Sequence, residues 1–185
     1  MKEVIPHRKP TRSKYIDYSR SGAYFVTICA KDRKQIFSRI VYESKAMEGA
    51  ASYSPTSDFE NVSSCATVHL TDIGRIAHEQ LTKISERFEG VRVDEYVIMP
   101  NHIHVVVFLG NTDEMSDQKH DLNDIIRVYK SFTARLCKKA YGIEGLFQRS
   151  YYDHFIRDKS DYEKIARYIR NNPITWYYDE LYTDL

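Results

Sequence analysis

Val91-Arg-Val-Asp-Glu-Tyr-Val-Ile98, Met99-Pro-Asn101 and His102-Ile-His-Val-Val-Val-Phe-Leu109 form the stretch on which the fold turns. Both flanks are rich in β-branched and aromatic residues, and the three-residue break between them, centred on a proline, is short enough for a hairpin. Working outward, Ala23-Tyr-Phe-Val-Thr-Ile-Cys-Ala30 reads as a first strand and Tyr151-Tyr-Asp-His-Phe-Ile156 as a last one. Thr71-Asp-Ile-Gly74 opens an amphipathic helix running to about residue 88, with Ile73, Ile76, Ala77, Leu81 and Ile84 on one stripe. A second helix is expected over about 122–140, with Ile125, Ile126, Tyr129, Phe132 and Leu136 turned inward. Ser160-Asp-Tyr-Glu163 begins a third, which Pro173 should end near Asn172. The order β, α, β-hairpin, α, β, α predicts an α+β fold. Its natural solution is a ferredoxin-like antiparallel sheet with helices packed mainly on one face.

The chain has 185 residues, 42% apolar and 29% charged, which fits one soluble domain spanning 1–185. No window is apolar enough for a membrane span, and the first thirteen residues are basic and polar, so neither membrane insertion nor secretion is expected. Cys29, Cys65 and Cys137 share no close spacing, which argues against a zinc knuckle or a disulfide framework and for a reducing, cytoplasmic setting. The net charge of +1 is unevenly spread: residues 1–40 hold ten Lys and Arg against three acids. Residues 1–20 read as a basic arm, 43–64 as a polar surface insertion and 110–120 as a polar loop. A second basic stretch, Arg127, Lys130, Arg135, Lys138 and Lys139, should lie largely outward on its helix. Such segregation suits a polyanion-binding face, although solvated helix faces produce similar runs.

His102-Ile103-His104 is the first candidate for chemistry. Side chains alternate along a strand, so both imidazoles leave one face, while Ile103, Val105 and Val107 fill the other. Two neutral imidazoles so placed can bind a divalent metal; they can equally be polar residues of a half-exposed sheet. On the last helix Tyr168 and Asn172 lie four apart on one face. A tyrosine hydroxyl can attack a phosphodiester if a metal polarises the phosphate, and an amide oxygen one turn away could supply a further ligand. The same residues also complete an ordinary packing stripe with Ile165 and Ile169, and spacing alone does not choose among fifteen tyrosines.

Three motifs in order narrow the choice. Glu95-Tyr-Val-Ile-Met-Pro-Asn-His-Ile-His-Val-Val-Val107, Gln148-Arg-Ser-Tyr-Tyr-Asp-His-Phe-Ile-Arg157 and Tyr168-Ile-Arg-Asn-Asn-Pro173 together resemble the single-tyrosine HUH transposases. The closest branch is that of the REP-associated tyrosine transposases. Arg8-Lys-Pro-Thr-Arg12 and Tyr24-Phe-Val-Thr-Ile28 extend the resemblance over nearly the whole chain. It implies that His102 and His104 are metal ligands, Asn172 the third ligand and Tyr168 the nucleophile, with Mg²⁺ or Mn²⁺ as cofactor. Two imidazoles would also accept Zn²⁺. The implied reaction is single-strand DNA cleavage and rejoining through a 5′-phosphotyrosine, near hairpins or palindromic repeats, by a monomer or a homodimer.

Arg8, Lys9, Arg12 and Lys14 in the arm, with Arg127, Lys130 and Arg149, are candidate phosphate contacts. Tyr152 and His154 are expected to face DNA or pack on the sheet. Tyr162 is the rival nucleophile, but Ala166 follows it at i+4 and offers no ligand; Asn101 carries no assigned role. The competing readings are a catalytically inactive or domesticated binder of palindromic single strands, a larger HUH replication nuclease and a ferredoxin-like RNA-binding protein. The intact set His102, His104, Tyr168 and Asn172 argues against the first, the length against the second, and histidines in place of central-strand aromatics against the third.

Overall fold

The structure, a computed structural model, describes residues 20–42, 66–110 and 120–183. The basic arm through residue 19, with Arg8, Lys9, Arg12 and Lys14, lies outside the described residues, as does the expected insertion at 43–64.

Four strands make the main sheet: β1 (Gly22–Cys29), β4 (Val91–Ile98), β5 (His102–Leu109) and β6 (Tyr152–Ile156). Their order across it is β4-β5-β1-β6, and every neighbouring pair is antiparallel. With α1 (Asp72–Thr82) between β1 and β4, and α3 (Leu122–Tyr141) between β5 and β6, this is the ferredoxin-like arrangement expected. The predicted hairpin is present, β4 and β5 being joined through residues 99–101. Two strands were not read from the sequence. β2 (Ser38–Tyr42) and β3 (Ala66–Leu70) pair antiparallel in a separate two-stranded sheet on either side of the polar stretch. Only Ser38 is buried among their ten residues, so they lack the apolar run that announces a core strand.

Thr71 caps α1, its Oγ1 accepting from the Gly74 N–H at 3.0 Å. The helix stops at Thr82, and a single turn, α2 (Ile84–Arg87), replaces the continuous helix expected to residue 88. On α3 the buried stripe is Ile125, Ile126, Tyr129, Thr133 and Cys137. Phe132 sits at its edge instead, each ring face or flank met by a guanidinium, Arg87 and Arg135, 4.6 Å from the centroid. Gly142 ends α3 with φ +67°, the left-handed conformation that favours glycine.

Each face of the sheet is covered differently. Tyr24, Val26, Ile28, Ile103, Val105 and Val107 pack against α1, α2 and α3 through Ala77, Leu81, Ile84, Ile125, Ile126 and Tyr129. The opposite face belongs to the last helix, α4 (Lys159–Asn171): Ala23, Phe25, Val106 and Ile156 meet Ile169, with Tyr162 and Ile165 at the margin. The helices thus lie mainly on one face, and the one that lies alone is the one carrying Tyr168. A bulge in β4 between Val93 and Tyr96 lets two successive residues reach that helix. Asp94 accepts from the Tyr162 hydroxyl, and Glu95 pairs with Arg170. No helix among the described residues is long and apolar enough to cross a membrane.

Candidate metal and nucleophile site

Cross-strand pairing puts His104 opposite Thr27 and His102 opposite Cys29, so all four share the α4 face where β1 ends and β5 begins. Both imidazoles are buried, His102 fully and His104 at 2% exposure. Each ring is gripped by its Nδ1: His102 Nδ1 lies 2.8 Å from Asn101 Oδ1, and His104 Nδ1 lies 2.9 Å from Thr27 Oγ1. Asn101 in turn donates its Nδ2 to Leu181 O at 2.7 Å, which fixes its oxygen toward the ring. An amide oxygen only accepts, so His102 carries its proton on Nδ1 and keeps a lone pair on Nε2. That lone pair faces His104 Nε2 at 3.0 Å. One proton can lie between them; a second would bring two donors together. Burial holds both imidazoles below their ordinary pKa, and the His102 ring lowers His104 further, so both are neutral at pH 7.

α4 brings the other two expected residues over this pair. Its N-terminus is capped by Asp158, and its last turn delivers Tyr168 and the buried Asn172. The Tyr168 hydroxyl is 3.3 Å from His104 Nε2, and its ring packs edge-on to Phe25 and tilted to His104. The phenol is 44% exposed as a residue, open to a substrate while its oxygen points inward. Burial, then the Asp179 carboxylate, raises its pKa, keeping it protonated in the absence of a cation.

Asp179 is the residue the sequence reading missed. The chain turns after Pro173 through a short 3₁₀ segment, Trp176–Tyr178, and returns Asp179 to the histidines. Asn172 Nδ2 donates to Asp179 Oδ2 at 2.6 Å, and the Tyr168 hydroxyl donates to the same oxygen at 3.4 Å. Asp179 Oδ1 accepts from the Leu181 N–H at 2.7 Å. One ligand atom from each of His102, His104 and Asp179 lies within 4.8 Å of the others, so these three could hold a metal ion. Asn172 Oδ1 is buried without a hydrogen-bond partner, an arrangement that costs free energy unless something positive meets it. Two imidazole nitrogens, a carboxylate and an orphaned amide oxygen are a donor set suited to a divalent cation.

The remaining expected residues fall elsewhere. Tyr162 is bonded to Asp94 on β4, six residues before Tyr168, and does not join the cluster. Tyr152 is on the histidine face, opposite Thr27, and 64% exposed. His154 shares that face but bonds Asp161 Oδ2 at 3.0 Å, tying β6 to the start of α4. Lys130 gives its ammonium to the carbonyls of Gln148, Arg149 and Ser150, so it pins that loop. Arg127 pairs with Asp124 at 2.9 Å, and Arg149 is exposed. α3 packs on the face away from the histidines, and Lys130 reaches from it to the loop whose Gln148 N–H bonds Cys29 O.

Comparison with known proteins agrees with this architecture. The family model described as "Transposase IS200 like" matches residues 19–172. A Haemophilus influenzae protein of uncharacterised function is 30% identical over 195 aligned positions, covering 97% of this chain and 96% of that protein. A second protein of that organism, named for REP-associated tyrosine transposases, is 25% identical over 91% of this chain and 79% of its own length. The solved structure of a REP-associated tyrosine transposase bound to a REP hairpin shares the fold with a TM-score of 0.56 at 17% identity, over 94% of this chain and 77% of that one. The chain belongs to the IS200-like transposase family.

Proposed function

We propose that this transposase cuts and rejoins single-stranded DNA, with Tyr168 as nucleophile and His102, His104, Asn172 and Asp179 as the cation-binding set. One observation carries the reading: the two Nε2 atoms, the Tyr168 hydroxyl and the Asp179 carboxylate meet on the sheet face, and the residue bonded to that carboxylate, Asn172, holds a buried, partnerless amide oxygen. A divalent cation held there, Mg²⁺ or Mn²⁺, supplies Lewis acidity to a phosphate oxygen.

The chain's own groups perform the rest. Asn101 and Thr27 hold the rings by Nδ1, which leaves both Nε2 atoms as ligands once the proton between them is displaced. Thr27 can accept as well as donate, so His104 can exchange tautomers without moving. Tyr168 Oη attacks phosphorus and the P–O3′ bond breaks, giving a 5′-phosphotyrosine and a 3′-OH. With His104 Nε2 and the Asp179 carboxylate both given to the cation, the phenolic proton passes to water and the departing 3′ oxygen takes one from water. The ester keeps the energy of the broken bond, so attack by another 3′-OH rejoins strands. Hairpin DNA as the partner is supported by the fold neighbour's bound REP hairpin and by the surplus of cations in residues 1–40.

A denaturing gel tests this. Labelled single-stranded DNA from the gene's own flanks, mixed with the protein and Mn²⁺, should give a protein–DNA adduct that Tyr168→Phe and His102→Ala both abolish. Tight hairpin binding with no adduct from the wild type would instead establish an inactive binder.

A further inference from the structure

The segment after Asn172 lies beyond the family match and is unusually aromatic: Trp176, Tyr177, Tyr178 and Tyr182 within seven residues. Its rings run outward from the site in steps. Trp176 lies 5.7 Å from His102, Tyr182 5.2 Å from Trp176, Tyr177 5.3 Å from Tyr182, and Tyr42 of β2 stacks on Tyr177 at 5.3 Å. The inner ring, Trp176, is buried, whereas Tyr177 and Tyr178 are 57% and 74% exposed. Packing encloses Trp176, whereas Tyr177 and Tyr178 keep more than half of their surface open to solvent at the outer end of the segment. Cations flank them. Arg33 donates to Glu180 O at 3.3 Å and its own carbonyl accepts from Thr183 Oγ1, which lays the loop carrying exposed Lys31, Arg33 and Lys34 along this segment.

We propose that Tyr177, backed by Tyr42 and Tyr182, and its exposed neighbour Tyr178 form a stacking platform for unpaired bases of the DNA strand that enters the Tyr168 site. Every base offers a π-face, so exposed rings beside cations bind single strands with little regard to sequence, the rings taking bases and the cations the backbone. The continuity of rings from His102 outward is what assigns the platform to the strand being cut rather than to a separate ligand. The proposal rests on the function proposed above.

Binding is measured by fluorescence anisotropy of the full-length protein in metal-free buffer. The probes are a labelled oligothymidylate and an abasic strand of the same phosphate count. Tyr177→Ala/Tyr178→Ala should weaken the thymidine strand about tenfold or more. It should leave the abasic strand nearly unaffected, because no phosphate contact is removed, and the slope of affinity against salt should not change. Tyr177→Trp/Tyr178→Trp should restore thymidine binding, which a variant harmed only in folding would not allow. Equal loss on both strands, or no loss on either, overturns the platform. Should the double alanine variant bind normally while the wild type forms the covalent adduct, the platform falls and the function stands. A platform effect without any adduct in the wild type would overturn the nuclease reading and leave the platform as a binding surface.

Discussion

Ile103 and His104 are adjacent on β5 and face opposite sides of one sheet. On the Ile103 side, strands β1 and β5 present an unbroken apolar surface that three helices close. On the His104 side the same two strands are apolar at one end, at Ala23, Phe25 and Val106, and carry a buried polar group of Thr27, His102 and His104 at the other, under a single helix. The strand alternation therefore separates two duties within eight residues: odd positions of β5 hold the fold together, and the first two even positions hold the site. Burying neutral imidazoles and an unpartnered amide oxygen is unfavourable by itself. The far face offsets this by burying the larger share of the apolar side chains.

Substitutions on the two faces should break that division if it is wrong. The largest expected effect is on the site face: Tyr168→Phe removes only a hydroxyl and should abolish the adduct in the gel assay, with thermal stability close to that of the wild type. Next comes the neighbouring pair on β5. Ile103→Ala should lower unfolding stability by about 2–5 kcal/mol in urea titration while the molecules that remain folded still form adduct. His104→Ala should do the reverse, eliminating Mn²⁺ binding by calorimetry and destabilising less than Ile103→Ala. If His104→Ala unfolds the protein as readily, the imidazoles belong to the core and the division fails.

A smaller effect sharpens the role of the residue beyond the motif. Asp179→Asn keeps the shape but loses the charge that holds Asn172 Nδ2, and Mn²⁺ affinity should fall about tenfold to a hundredfold. Smallest is Tyr162→Phe, at the other end of α4. The Asp94 hydrogen bond and burial raise the Tyr162 pKa from 10.0 to about 12. A raised folded-state pKa means that this contribution is complete below pH 10.0 and is lost as pH climbs through about 12. Tyr162→Phe should therefore flatten that part of the alkaline stability curve and leave adduct formation intact.

Much of this was readable beforehand, for identifiable reasons. β1 and β5 announce themselves because their buried positions run almost without interruption, β4 because its β-branched and aromatic residues lead into the short break before β5, and α4 ends where Pro173 requires. The face taken by α4 was not readable, since an amphipathic helix shows that it has an apolar side but not which side of a sheet receives it. β2 and β3 escaped because their half-exposed residues border a long polar stretch. Asp179 escaped for a different reason: acids near a chain's end are common, and only the turn through Trp176–Tyr178 brings this one back to the histidines. Asn101 had no assigned role because its neighbour's ring orientation is visible only once Leu181 is seen to fix its amide.

The most direct test of the central claim is to digest the DNA-linked protein with trypsin and nuclease and locate the residual nucleotide by mass spectrometry. Cleavage at Arg167 and Arg170 releases Tyr168-Ile-Arg170, and cleavage at Lys159 and Lys164 releases Ser160-Asp-Tyr-Glu-Lys164, which carries Tyr162. The nucleotide mass should be found on Tyr168-Ile-Arg170. Its appearance on the Tyr162 peptide, or on any other, would contradict the assignment of Tyr168 and with it the reading of the histidine end of the α4 face as the reactive one.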